Sequence, residues 1–221
     1  MRFYLDTSVW GGYFDEEFKE PTRLFFDEIV LKKYQIIVSN EVTRELIKAN
    51  EKVTSMYLAL PRENLEIVFM DEKIISLANT YIREGTLTQK YLSDALHIAC
   101  ATVLNADALI SWNFTHMVNF FRIKQYNEIN RKFGYKNIDI RTPKEVMDSK
   151  KIPKAEEPTA QYGETINIMK LIREIRDELS ELYWKDPKAY LEDSKKYTLE
   201  FLEQHYAEKM AKRHNPPSPQ V

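Results

Sequence analysis

Along the first two thirds of the chain, short apolar runs alternate with longer stretches in which apolar residues return every three or four positions. Residues 2–5, RFYL, are apolar apart from Arg2 and predict a buried strand, followed by a loop that Gly11 and Gly12 allow to turn. PTRLFFDEIVLKK then carries Leu24, Phe25, Ile29 and Val30 at helical spacing, and QIIVS is a short β-branched strand. In SNEVTREL, Ser39 or Asn40 is placed to cap a helix with Val42 and Leu46 on one side. LEIVFM predicts a third strand, and DEKIISLANTYIREG a helix that Gly85 ends. Leu92, Ala95, Leu96, Ala99 and Val103 mark a further helix. ADALIS reads as a strand, and NIDIRTPKEV as a last short strand turning into a helical stub at Pro143. Strand–helix alternation of this kind is the pattern of a parallel sheet covered by helices.

The pattern changes after residue 147. Residues 148–162, DSKKIPKAEEPTAQY, are polar, contain two prolines and read as a linker between a first domain, 1–147, and a helical extension, 163–210. Ile166, Met169, Ile172, Ile175, Leu179 and Leu182 give the extension one amphipathic helix, broken near Asp186 and Pro187. Tyr190, Ser194, Tyr197, Phe201, Leu202 and His205 give a second. Two helices are too little for a core of their own, so their apolar stripes must pack on the first domain, a second copy or a partner. Residues 211–221 read as a flexible tail.

Composition narrows the class. A chain of 221 residues with 43% hydrophobic and 12% aromatic residues can fill a core, and its net charge of −2 excludes a strongly basic footprint without excluding a locally basic cleft. Cys100 is the single cysteine, so no disulfide forms within the chain. No long uncharged apolar run and no secretory leader is visible, which predicts a cytoplasmic protein with no membrane partner.

The candidate chemistry sits at the ends of the strands. In an open parallel sheet, ligands bind beyond the carboxyl ends of the strands, where loops and helix N-termini converge. Asp6 follows the first strand, Glu41 the second, Asp94 opens a helix among apolar neighbours, and Ser111 and Asn113 follow the strand ADALI. Carboxylates gathered there need a cation, and Mg²⁺ or Mn²⁺ with oxygen ligands meets that need and suits phosphodiester hydrolysis. For each acid the alternative is a turn or helix-cap role. Thr7 and Ser8 either hold the loop or support the site. His97 reads as a core histidine, and no HExxH or Cys/His cluster proposes zinc. The run NFFRIKQYNEINRKFGYK mixes basic and aromatic residues, so its Arg122 and Lys124, with His116 before it, are candidates for substrate contact. An ordinary amphipathic helix is the competing reading.

Taken together, FYLDTSV, SNEVTREL, LSDALHIACA, NADALISWNFTHM and IRTPKEV resemble the PIN domain, and within it the VapC-type toxin ribonucleases, over about residues 2–147. The resemblance implies a three-layer α/β/α, Rossmann-like fold and an endoribonuclease using Mg²⁺ or Mn²⁺ and leaving a 5′-phosphate. It puts the catalytic and metal-holding positions at Asp6, Glu41, Asp94 and Asn113, with Thr7, Ser8 and Ser111 in support. Asn113 stands where many members have Asp, which removes a charge and weakens a second ion site. Asp107 lies at the opposite end of its strand and does not replace it. The extension resembles the short antitoxins encoded beside such toxins. That implies an antitoxin-like contact in cis, with Arg173 or Arg176 pairing with the carboxylates, although a separate antitoxin or a homodimer partner are the alternatives. The competing function is a catalytically inactive PIN-like interaction protein.

Overall fold

The computed structural model describes residues 1–148 and 168–214, the side chains of 206–214 excepted. Five strands form one sheet: β1 (Arg2–Leu5), β2 (Gln35–Ser39), β3 (Leu65–Val68), β4 (Ala108–Ile110) and β5 (Ile140–Arg141). Their order is β3-β2-β1-β4-β5 and every pairing is parallel, with Tyr4 opposite Ile37 on one side and Leu109 on the other. Ten α-helices and two short 3₁₀ turns (Arg62–Asn64 and Gln89–Tyr91) complete the described residues, the α-helices being α1 (Thr7–Gly12), α2 (Lys19–Val30), α3 (Asn40–Lys48), α4 (Glu51–Ala59), α5 (Glu72–Arg83), α6 (Leu92–Val103), α7 (Phe120–Lys132), α8 (Pro143–Asp148), α9 (Ile168–Lys185) and α10 (Pro187–His214). Helix α5 packs on α6 and α7, whereas α2 packs on α8, so helices cover the sheet in the expected three-layer α/β/α arrangement.

The strand order reverses direction between β1 and β4. Connections leaving this point run to opposite sides, and a crevice opens at the carboxyl ends of these two central strands. Asp6 N–H donates to the carbonyl of Ile110 at 3.0 Å, fixing the end of β1 beside the end of β4. Phe3, Tyr4, Leu5, Ile36, Ile37, Val38, Leu109 and Ile110 are buried, as continuous apolar strands sheltered on both faces must be. Asp107, at the other end of β4, accepts from the backbone N–H of Arg2 at 2.7 Å.

Local signals set the ends of the helices, as expected at Ser39 and Gly85 and in addition at Asp71. The Ser39 hydroxyl accepts from Val42 N–H at 3.3 Å and caps α3, and the Asp71 carboxylate does the same for α5 from Ile74 at 3.0 Å. Gly85 ends α5 with φ at +78°, a conformation that a side chain disfavours. Two expectations are corrected. The stretch after β1 is the helix α1 rather than a loop, and Gly11 lies inside it against α9, where a Cβ would sit 2.7 Å from Ile172 Cδ1 and 2.9 Å from Ile168 Cγ2. On α2, Leu24 and Val30 are exposed, and Phe25, Phe26 and Ile29 form the buried face.

Helix α9 buries Ile168, Met169, Ile172, Ile175 and Leu179 against α1, α3 and α6, while Leu182 remains exposed. Polar clasps accompany this packing. Lys90 pairs with Asp177 at 3.0 Å and Lys48 with Glu178 at 2.8 Å, and Trp184 Nε1 donates to the carbonyl of Gln89 at 2.9 Å. The exposed ion pairs contribute little, so burial of the isoleucine stripe is what seats the helix. Helix α10 returns over α3, with Asn40 Nδ2 donating to Ser194 Oγ at 2.9 Å. Most of the expected linker, and the tail beyond residue 214, lie outside the described residues.

Candidate metal centre

Asp6 occupies the N-cap position of α1, yet its carboxylate makes no cap bond. One carboxylate oxygen accepts from the hydroxyls of Ser8 and, at 2.7 Å, Ser111, while the other meets the guanidinium of Arg176. Ser8 Oγ also accepts from Trp112 N–H at 2.9 Å, and Ser111 Oγ from Asn113 N–H at 2.9 Å. Two hydroxyls anchored by the loop after β4 thus orient a buried acid at the end of β1, which leaves one oxygen to face a cation. Thr7 is buried too, and its hydroxyl has no hydrogen-bond partner among the described residues.

Two further carboxylates meet Asp6 at Arg176. Asp94, in the first turn of α6, accepts from Arg176 Nη1 at 2.9 Å, and Glu45, on α3, accepts from Arg176 Nε at 3.0 and 3.1 Å through its two oxygens. Asp6, Glu45 and Asp94 are all nearly inaccessible to solvent, and Arg176 is 7% exposed. One guanidinium therefore compensates three buried acids, a charge arrangement that is stable only with a cation among them. His97 closes the back of the group, with Nε2 3.2 Å from Glu45 and 3.9 Å from Asp6, and Nδ1 2.8 Å from the Tyr4 hydroxyl.

Burial alone would raise the pKa of Glu45, but Arg176 and His97 outweigh it and bring the group down to about 2. Asp94 is also lowered, against its burial, by a hydrogen bond from His116 and the charge of Arg176. His97 is raised because Glu45 overcomes the cost of burying its charge. The Arg176 guanidinium is held well above its ordinary value by Asp6, Glu45 and Asp94, again against desolvation.

Glu41 lies one turn before Glu45 on α3 and takes different partners. It accepts from the Tyr190 hydroxyl at 2.8 and 2.7 Å through its two oxygens, and from Ser93 Oγ at 3.1 Å. Ser93 Oγ also lies 2.5 Å from Glu45, so one hydroxyl joins the two acids. Burial and the charge of Glu45 raise the pKa of Glu41.

Asn113 donates from Nδ2 to Asp94 at 3.1 Å, and its amide oxygen accepts from His116 N–H at 3.0 Å. It thus holds the loop after β4 against Asp94. His116 Nδ1 is 3.0 Å from the other Asp94 oxygen. Arg122, on α7, is tied to the carbonyl of Thr86, and Lys124 is exposed on the same helix. Arg173 is exposed one turn before Arg176 and meets none of the three acids.

The structure accordingly brings together Asp6, Asp94, Ser8, Ser111, Asn113, His116 and Arg176. It sets Glu41 in an adjoining polar group and leaves Arg122, Lys124 and Arg173 outside the acid cluster. Sequence reasoning missed Glu45 and the placement of His97. Helical spacing held the signal: Glu41 and Glu45 are four apart on α3, and Asp94 and His97 three apart on α6, so each pair shares a face.

The donor set suits a divalent cation. Ligand atoms of Asp6, Glu45 and His97 all lie within 4.8 Å of one another, and the neighbouring Asp94 adds a third carboxylate. Hard oxygen donors favour Mg²⁺ or Mn²⁺, and an imidazole beside them is compatible with Mn²⁺.

No protein-family model and no curated protein matches the chain. Among solved structures, the chain is similar to the crystal structure of VapBC2 from Rickettsia felis bound to a DNA fragment from their promoter. The identity is 16%, the alignment covers 64% of this chain and 98% of that one, and the TM-score is 0.43, a likeness on which no functional argument rests.

Proposed function

We propose that this chain is a metal-dependent phosphodiesterase acting on RNA, restrained in cis by its own C-terminal helices. The observation that carries the reading is the convergence of Asp6, Glu45 and Asp94, from three distant segments, on one buried guanidinium supplied by α9. The side chains would serve as follows. Asp6, oriented by Ser8 and Ser111, and Asp94, oriented by Asn113 and His116, hold the cation from two sides, and Glu45 completes the anionic wall. Glu41, joined to Glu45 through Ser93, would exchange a proton at the edge of the site. When bound, the ion would polarise a phosphoryl oxygen and lower the pKa of a bound water. Arg176 occupies the position where the cation's charge is needed, so seating α9 and binding an ion are alternatives. RNA is preferred over DNA by the resemblance of the sequence motifs to the VapC-type PIN ribonucleases.

Tethering strengthens the restraint. A segment joined through residues 149–167 meets its site at an effective concentration in the millimolar range, so modest contacts keep it seated.

The test is Arg176→Gln in the full chain, assayed by Mn²⁺ titration calorimetry and by cleavage of a mixed RNA pool. Saturable Mn²⁺ binding, with cleavage abolished by adding Asp6→Asn or by EDTA, is expected. A folded Arg176→Gln protein that binds neither Mn²⁺ nor Mg²⁺ and cuts no RNA would overturn the reading. That result would favour the second one, an interaction protein in which Arg176 has permanently taken the cation's place. The Asn113 amide supports this alternative, because it brings no negative charge to the expected metal set and donates its Nδ2 to Asp94.

A further inference from the structure

Closure of α9 fills the acid cluster but leaves a cavity of about 310 Å³ beside it. Its wall is shared. Lys90, Tyr91, Asn113 and His116 come from the sheet domain, whereas Arg173 and Asp177 come from α9. Charges around the cavity are mostly compensated. Asp94 shares Arg176 with Asp6 and Glu45, and Asp177 is matched by Lys90 at 3.0 Å, which leaves Arg173 as the cation without an opposite partner among the described residues. Arg173 is therefore the point of this wall at which an anion is best received. Tyr91 and His116 add a ring surface, their centroids 3.8 Å apart, and the Lys90 ammonium lies 5.9 Å from the Tyr91 ring centroid. Thr115 also lines the cavity, as does Ser93, whose hydroxyl is engaged by Glu41 and Glu45.

An unpaired guanidinium, two adjoining rings tilted 39° to one another and neutral hydrogen-bonding groups in a cavity of this size match one ligand chemistry, a phosphate carried by a planar heterocycle and its sugar. We propose that this cavity is a second site that binds a 5′-phosphorylated nucleotide, with the phosphate on Arg173 and the base against Tyr91 and His116. It deepens the nuclease reading, and rests on it for the nucleotide character of the ligand though not for the anion site.

The shared wall sets the consequence. A ligand that touches both α9 and the sheet domain binds the closed arrangement and not the open one, so it stabilises closure in proportion to its occupancy. At ten times its dissociation constant it multiplies the closed population about tenfold. A 5′-phosphorylated product end would then reseat the helix that covers the acids.

Binding is measured on the full chain in EDTA, where no turnover occurs. Adenosine 5′-monophosphate, adenosine and inorganic phosphate are titrated by calorimetry, together with trinucleotides bearing a 5′-phosphate or a 5′-hydroxyl. The nucleotide is expected to bind saturably, with adenosine and phosphate each about tenfold weaker or more. Arg173→Gln, an exposed substitution compatible with folding, should weaken binding by a similar factor, and amide exchange across residues 168–185 should slow when the nucleotide is present. Tighter binding of the 5′-phosphorylated trinucleotide than of the mononucleotide identifies an RNA end as the source, and the reverse identifies the free nucleotide. The proposal is overturned by no saturable binding up to several millimolar, by equal binding of 5′-phosphate and 5′-hydroxyl trinucleotides, by indifference to Arg173→Gln, or by unchanged exchange in α9. Because none of these readouts involves cleavage, their failure leaves the nuclease reading standing, and failure of the Arg176→Gln assay leaves the binding result standing.

Discussion

Glu41 and Glu45 are the same residue type, one turn apart on the same helix and equally buried, yet they are shifted in opposite directions. Around Glu45 the structure supplies full charges, Arg176 and His97, and the carboxylate stays ionised. Around Glu41 it supplies hydroxyls, Tyr190 and Ser93, and burial wins. Desolvation acts on both, so the partner and not the depth decides the protonation state. The C-terminal helices thus engage the two acids by different means, α9 with a permanent cation and α10 with a neutral donor.

The sharpest way to break this contrast is Arg176→Ala, which leaves three buried carboxylates with only the imidazoles of His97 and His116 nearby. Removal of one partner from a buried ionic group costs on the order of 3–5 kcal/mol, so urea denaturation should show a loss of that size. Millimolar Mn²⁺ should recover part of it in the variant and add little to the parent protein.

Acid sharpens the contrast next. The pKa of Glu45 is depressed in the folded state from 4.5 to about 2, so its contribution to stability is complete above about pH 4.5 and is lost as pH falls toward 2. Glu41 is shifted upward, so its contribution has the opposite sign: it is present at low pH and declines as pH rises through its folded-state value. Urea midpoints measured from pH 6 to pH 3 should fall in the parent chain, and fall less steeply in Arg176→Ala, where the main cause of the Glu45 depression is gone.

A smaller effect comes from the packing that delivers Arg176. Gly11→Ala places a methyl group against Ile168 and Ile172, and overpacking of this kind costs about 1–3 kcal/mol. It should loosen α9 specifically, seen as faster amide exchange across residues 168–185 with the sheet unaffected. Smallest is Tyr190→Phe, which removes the hydrogen bonds to Glu41 and should cost about 1 kcal/mol in a denaturation curve. It leaves the Arg176 cluster in place, so it should not expose a cation site. Mn²⁺ binding in Tyr190→Phe equal to that in Arg176→Gln would erase the distinction between the two helices.

Much of the fold was legible because its signals are local. Strand runs, the cap at Ser39, the stop at Gly85 and the isoleucine stripe of α9 are each decided within a few residues. Asp6 and Asp94 stood out for a related reason, as acids set beside apolar segments. Glu45 did not, because NEVTREL offers two glutamates on one helical face and periodicity cannot say which one the rotation of α3 turns toward α6. His97 was hidden among the apolar residues of its helix, where a core role and a place beside a carboxylate look alike.

By itself the sequence determined the alternation of strands and helices and the acids beyond β1 and at the head of α6, since spacing and residue chemistry suffice for these, while the two candidate arginines on the C-terminal extension came from its resemblance to short antitoxins. Only the tertiary structure decided that Glu45 rather than Glu41 meets the cation, and that Arg176 rather than Arg173 supplies it. Those choices depend on the rotation and seating of whole helices, which follow from packing Ile168 and Ile172 against Gly11 and from balancing buried charge across three segments distant in the chain.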